Sequence, residues 1–148
     1  MRLRETTAAY RTDRDAEHTD QPIAAGASAA AQIRMLKNIP ADWHHDESSN
    51  APDPDGLEWL AGRFEQDYPA NAPPAYIFPN PEGTVTALWK IDAEIQVEVE
   101  FNLDTRTAER WIHSVSNLTA QYDVVDLNTA NSLKNIGARN VELAAASC

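Results

Sequence analysis

The chain has 148 residues, 43% of them hydrophobic, with a formal net charge of −11. That length supports one domain with a single modest core, and the apolar content argues against wholesale disorder. No stretch approaches the ~18 uninterrupted apolar residues that span a membrane. The start, "MRLRETTAAYRTDRDAEHTD", has early arginines without an apolar segment behind them, so it does not read as a secretory signal.

Charge is unevenly placed. Residues 1–37 hold six Lys/Arg and five Asp/Glu, net +1, and residues 38–148 hold six and eighteen, net −12. A body this acidic repels phosphate backbones, so direct nucleic-acid binding is disfavoured and a basic protein surface is electrostatically allowed. Solubility alone is the plainer reading of the same charge. The single cysteine, Cys148, permits no internal disulfide and no Cys-rich zinc site, and a reducing cytoplasm is the expected compartment.

In chain order, residues 1–22 are polar and charge-mixed and read as a mobile arm, leaving 23–148 as the domain. Residues 23–39, "IAAGASAAAQIRMLKNI", are Ala-rich and predict a helix over roughly 27–38, with Ser28 as a possible cap and Pro40 as its stop. "PADWHHDESSNAPDPDG" (40–56) has the composition of a loop. Asp53 then reads as an N-cap with Pro54 at the first helical position. In the helix that follows, Leu57, Leu60, Ala61 and Phe64 recur at i, i+3, i+4 and i+7 as one apolar stripe, with Trp59 half-exposed off its centre.

Residues 75–115 hold four candidate strands. The odd positions of 83–91 are Val85, Ala87, Trp89 and Ile91; those of 95–101 are Ile95, Val97, Val99 and Phe101, alternating with Gln96, Glu98 and Glu100. Strict alternation of this kind marks a sheet with one buried face. A three-residue loop, 92–94, pairs Ile91 with Ile95, Trp89 with Val97, Ala87 with Val99 and Val85 with Phe101. A two-residue loop would oppose every apolar residue to a polar one. The same parity applied to 106–115 pairs Trp111 with Val97 and Arg110 with Glu98. Pro79 and Pro81 suit an edge strand or turn. A short apolar run at Tyr122–Leu127 precedes a last helix with Leu133, Ile136 and Gly137 near its end and Asn128 or Thr129 as its cap. The fold expected is α+β: an antiparallel meander of three to four strands with two to three helices on one face.

Three segments carry a resemblance: "ADWHHDESSNAPDPDGLEWLAGRF", "PPAYIFPNPEGTVTALW" and "IQVEVEFN". Over about residues 36–102 the chain resembles a loose group of small uncharacterised bacterial and phage α+β proteins. Their pattern is Trp, a short polar loop and a helix, then Pro-x-[IV]-x-Pro-x-x-[DE]-Gly and a strand ending near Trp. The resemblance implies a shared fold and a setting of mobile elements, restriction or toxin–antitoxin loci. Where the group carries Asp/Asn-Gly after the Trp, this chain has His44-His45-Asp46-Glu47, so the resemblance lends nothing to a His-based site.

His44, His45, Asp46 and Glu47 offer metal-ligand chemistry. Adjacent residues diverge, however, and the i, i+4 histidine spacing that converges on one ion is absent. A solvated loop anchored by Trp43 is the plainer reading. Glu94, Glu98 and Glu100 read as carboxylates on one wet strand face, either a solvated surface or a docking surface. His113 lacks any accompanying nucleophile motif, and no P-loop, Rossmann or zinc-protease signature is present. Trp89 and Trp111 read first as core. The sequence therefore points to a non-enzymatic acidic interaction domain with no cofactor, bound to another protein with a basic surface. A DNA-mimic inhibitor and a metal-dependent hydrolase built on His44–Glu47 are the rivals.

Overall fold

The computed structural model describes residues 24–40, 43 and 50–146. The N-terminal arm expected over 1–22 and the His44–Glu47 cluster lie outside these residues. Three helices cover one face of a five-stranded antiparallel sheet in the order β1-β2-β3-β4-β5. The strands are β1 (Tyr76–Pro79), β2 (Val85–Lys90), β3 (Ile95–Asn102), β4 (Thr107–Ser114) and β5 (Thr119–Asp126). The helices are α1 (Ala25–Met35), extended by a 3₁₀ turn over Leu36–Asn38, α2 (Pro54–Asp67) and α3 (Ser132–Ala146). Among the described residues no helix is long and apolar enough to cross a membrane.

Each helix follows from local chemistry. Asp53 caps α2 as its sequence predicts: its carboxylate accepts from the Gly56 N–H at 2.8 Å, and Pro54 takes the position where an N–H has no helical partner. The stripe Leu57, Leu60, Ala61, Phe64 is fully buried. α1 starts earlier than expected, at Ala25. Ser28 lies within the first turn and donates its N–H to the Ala24 carbonyl, and no side chain caps the helix. Close approach of α1 to α2 depends on Gly26, where a Cβ would sit 2.5 Å from the Phe64 carbonyl oxygen. α3 does not end near Gly137 but runs to Ala146. That glycine lets the helix pass against Pro69 and Tyr68.

The β2–β3 hairpin has the register that parity demanded: Trp89 opposite Val97, Ala87 opposite Val99, Val85 opposite Phe101, with Ile91 bonded to Ile95 across the 92–94 loop. These residues meet α2 through Phe64 packed edge-on to Phe101 and Tyr68 stacked on Trp89, with ring centroids 5.7 and 5.9 Å apart. Tyr68 donates its hydroxyl to the Pro73 carbonyl at 2.8 Å, and burial pushes its pKa up to about 12.

Two expectations need correction. The sheet has five strands, because "TAQYDVVD" forms a complete eight-residue strand in which the sequence reading saw only a short apolar run. The β3–β4 register is one residue away from that inferred: Val97 faces Ile112, Glu98 faces Trp111 and Val99 faces Arg110. A single-residue slip exchanges the two faces of a strand, so Trp111 stands on the outer face, which no helix of the described residues covers, and Arg110 on the inner one. The four-strand limit failed for a related reason: β5 alternates over Thr119–Val124 with its apolar residues on the outer face, the reverse of β3.

Candidate functional site

The helical layer covers β1 to β3 and thins beyond them. On β4 the inner positions run from buried Ala108 to half-buried Arg110, Ile112 and Ser114; on β5 only Val125 is even half-buried. Arg110 there makes a two-pronged ion pair with Asp123, at 2.8 and 2.6 Å, which holds the Asp123 carboxyl below its ordinary pKa. Apart from Val125, polar groups thus line the inner side of β5, where β2 and β3 place apolar side chains.

The outer face carries the apolar groups. Read across the pairing, one row runs Tyr76, Leu88, Glu98, Trp111, Tyr122, and the next runs Phe78, Thr86, Glu100, Glu109, Val124. Tyr122 is 55% and Val124 60% exposed. The Trp111 and Tyr122 rings touch at 5.5 Å in a tilted arrangement. Leu118, in the turn between β4 and β5, is 91% exposed and holds φ at +54°, a conformation that disfavours a Cβ.

Carboxylates are set among these rings. Glu98 lies 3.5 Å from the His113 imidazole, and Glu100 accepts from the Thr84 hydroxyl at 2.6 Å. Successive outward positions on one strand are separated by about 7 Å, which is the spacing between Glu98 and Glu100. Glu109 faces Glu100 directly across the β3–β4 pair and accepts from the Tyr122 hydroxyl at 3.2 Å. Two carboxylates opposite one another cost stability. Partial desolvation and the charge of Glu109 both raise the Tyr122 pKa.

Glu94 does not belong to this face. It lies in the β2–β3 loop, before β3 begins, and its carboxylate accepts from the Ser114 hydroxyl, the Ser116 hydroxyl and the Ser116 N–H at 2.5, 2.6 and 3.0 Å. Those bonds, the Ser114 one first, hold its pKa below the ordinary value. Its role here is to tie the β4–β5 turn to the neighbouring hairpin. Trp43 is half-buried and its indole N–H donates to the Asn50 carbonyl at 3.4 Å. Asn50 in turn donates its N–H to Pro81 and forms a bridge with Glu82.

Among the described residues no three His, Cys, Asp or Glu side chains are grouped as a metal site would require. Among the described residues a recess of about 520 Å³, between Gln96, Glu98, His113 and Leu118, opens on the outer face itself. Glu98 and Glu100 are therefore joined by Trp111, which the sequence assigns first to the core, and by Tyr122, Val124, Glu109 and Leu118, which sequence reasoning passed over. The signal was available in "TAQYDVVD": read as a full strand, its even positions are Ala120, Tyr122 and Val124, an apolar set closed by Asp126, on the side opposite Val125. No family model matches the chain, and neither a curated protein nor a solved structure matches it.

Proposed function

We propose that the protein is a non-enzymatic interaction domain whose open sheet face receives another protein through a basic, partly apolar surface. The observation that carries this reading is the outer row Tyr76, Leu88, Glu98, Trp111, Tyr122, which sets a carboxylate among half-buried and exposed aromatic and aliphatic side chains with no helix of the described residues above it. Aromatic residues supply contact area at little entropic cost, and interleaved carboxylates select the sign of the partner. The Glu100–Glu109 opposition and the exposed, left-handed Leu118 both cost stability in the free chain. A basic partner offsets the first and an apolar one the second. A regulatory or inhibitory role in bacterial or phage defence, counter-defence or toxin–antitoxin systems is the setting we assign.

A DNA mimic would present carboxylates at phosphate-like intervals; here rings and aliphatic side chains interrupt them, which favours a protein partner that is bound partly by apolar burial. The hydrolase alternative turns on His44, His45, Asp46 and Glu47 and is decided by metal analysis of the purified protein. For the interaction reading, tagged wild type and the Glu98→Lys/Glu100→Lys variant are used for parallel purifications from the native host. A specific protein retained by wild type and lost from the variant is the expected result. Identical retention by both overturns the assignment of this face.

A further inference from the structure

The two edges of the sheet are finished differently. At the β1 edge, Gln32 of α1 acts as a substitute strand: its amide nitrogen donates to the Ala75 carbonyl at 3.0 Å and its amide oxygen accepts from the Ile77 N–H at 3.1 Å. Pro79 ends that strand after four residues. Among the described residues nothing comparable guards β5. It is eight residues long, contains neither proline nor lysine, and leaves every residue but Val125 exposed. Lysine, proline, inward-pointing charge and cover are the usual means of blocking an edge, and the inward charge of β5, Asp123, is paired with Arg110.

The free hydrogen-bonding groups of that edge can be assigned. Leu127 donates its N–H to the Arg106 carbonyl, continuing the β4–β5 pairing. Antiparallel ladders alternate, so Val125, Asp123 and Gln121 also turn their backbone groups toward β4, and Ala120, Tyr122 and Val124 turn theirs outward. β5 ends the sheet order, and no described residue lies on that side to meet them.

We infer that β5 pairs antiparallel with β5 of a second copy of this chain, about a twofold axis at Tyr122 normal to the sheet. The sequence is self-complementary in that register. Tyr122 meets its own counterpart, and Ala120 meets Val124 of the other copy, in both directions. Each of these three pairs exchanges two backbone bonds, because all of their groups point outward. On the outer face the central contacts join the Tyr122 rings and Ala120 with Val124, with Asp126 falling opposite Leu118 at either end, and on the inner face Gln121 meets Asp123 and Thr119 meets Val125. Shifting the axis to Asp123 would set that carboxylate against its copy, a like-charge opposition. The pairing makes one continuous outer face in which Trp111 and Tyr122 of both copies stand side by side. This inference does not depend on the partner proposed above.

Sedimentation of the full chain across a concentration series tests it. Wild type is expected to reach twice the 16.4 kDa chain mass, and more readily at higher salt, because screening relieves repulsion between two chains of charge −11. Val124→Pro removes an N–H that β4 does not use, and Val124→Lys introduces an edge guard; both are expected to sediment as 16.4 kDa particles with unchanged circular dichroism. Tyr122→Cys in a Cys148→Ser background should cross-link to itself, since hydrogen-bonded pairs hold their Cα atoms ~5.5 Å apart. A wild type that stays at the single-chain mass, including one that instead takes up an extended peptide, overturns the proposal. So does a dimer that survives both Val124 substitutions.

Discussion

β3 and β5 are both eight-residue strands of one sheet, and they carry opposite polarity. β3 turns Val97, Val99 and Phe101 to the helices and Glu98 and Glu100 to solvent. β5 turns Gln121 and Asp123 to the helix side and Ala120, Tyr122 and Val124 to solvent. The first arrangement builds a core. The second contributes little to one and leaves apolar area available for contact. The comparison separates a foundation, β1 to β3 under α1 and α2, from a projecting β4–β5 arm.

Two tryptophans give the largest test of that division. Trp89 is fully buried on the inner side of β2, so Trp89→Ala should cost about 3–5 kcal/mol in a urea titration. Trp111 is half-exposed on the outer side of β4, and Trp111→Ala should cost about 1 kcal/mol, in proportion to the smaller area it removes from water. Equal costs would erase the distinction.

A pH titration follows. Tyr68 belongs to the foundation, and its folded-state pKa of about 12 exceeds the ordinary 10. Its contribution is therefore fully present below pH 10 and lost as pH rises through about 12. Tyrosinate absorbance at high pH should show Tyr68 ionising together with loss of the fold. Ionisation of all tyrosines before any unfolding would remove Tyr68 from the core.

Glycines sharpen the foundation itself. Gly26→Ala forces a methyl group into the Phe64 carbonyl and should cost about 1–3 kcal/mol. Gly62→Ala, with open space around its Cβ position, should stabilise α2 by about 0.5–1 kcal/mol. In the arm the sign changes at an apolar residue: Leu118→Gly relieves a left-handed backbone and should raise stability by about 1 kcal/mol. The smallest effect is expected at Glu109→Lys, which replaces a like-charge opposition to Glu100 by an attractive pair and should raise the denaturation midpoint slightly. The same substitution should weaken partner binding.

Sequence periodicity was a good guide wherever burial dictated it. The Asp53 cap, the Leu57–Phe64 stripe and the β2–β3 register all follow from residues whose polarity matches their place in the fold. The same assumption misled at β4, because pairing Trp111 with Val97 presumes that a tryptophan seeks the core. Ile112 takes that inner place and Trp111 the outer one. Glu94 was misplaced for a different reason: sequence spacing alone cannot show that its carboxylate closes onto Ser114 and Ser116, residues twenty and more positions away. The site was legible to the extent that Glu98 and Glu100 were. Its aromatic half was not, because inverted polarity looks like irregularity until the strand is in place.

Residue-resolved amide hydrogen exchange tests the division between foundation and arm most directly. In dilute protein the amides of Val97 and Val99 should exchange only through global unfolding, and those of Ala120, Tyr122 and Val124 should exchange freely from the open edge. Raising the protein concentration should then protect Ala120, Tyr122 and Val124 and leave Val97 and Val99 unchanged. Edge amides already protected in the dilute protein, or β3 amides as labile as those of β5, would contradict the account.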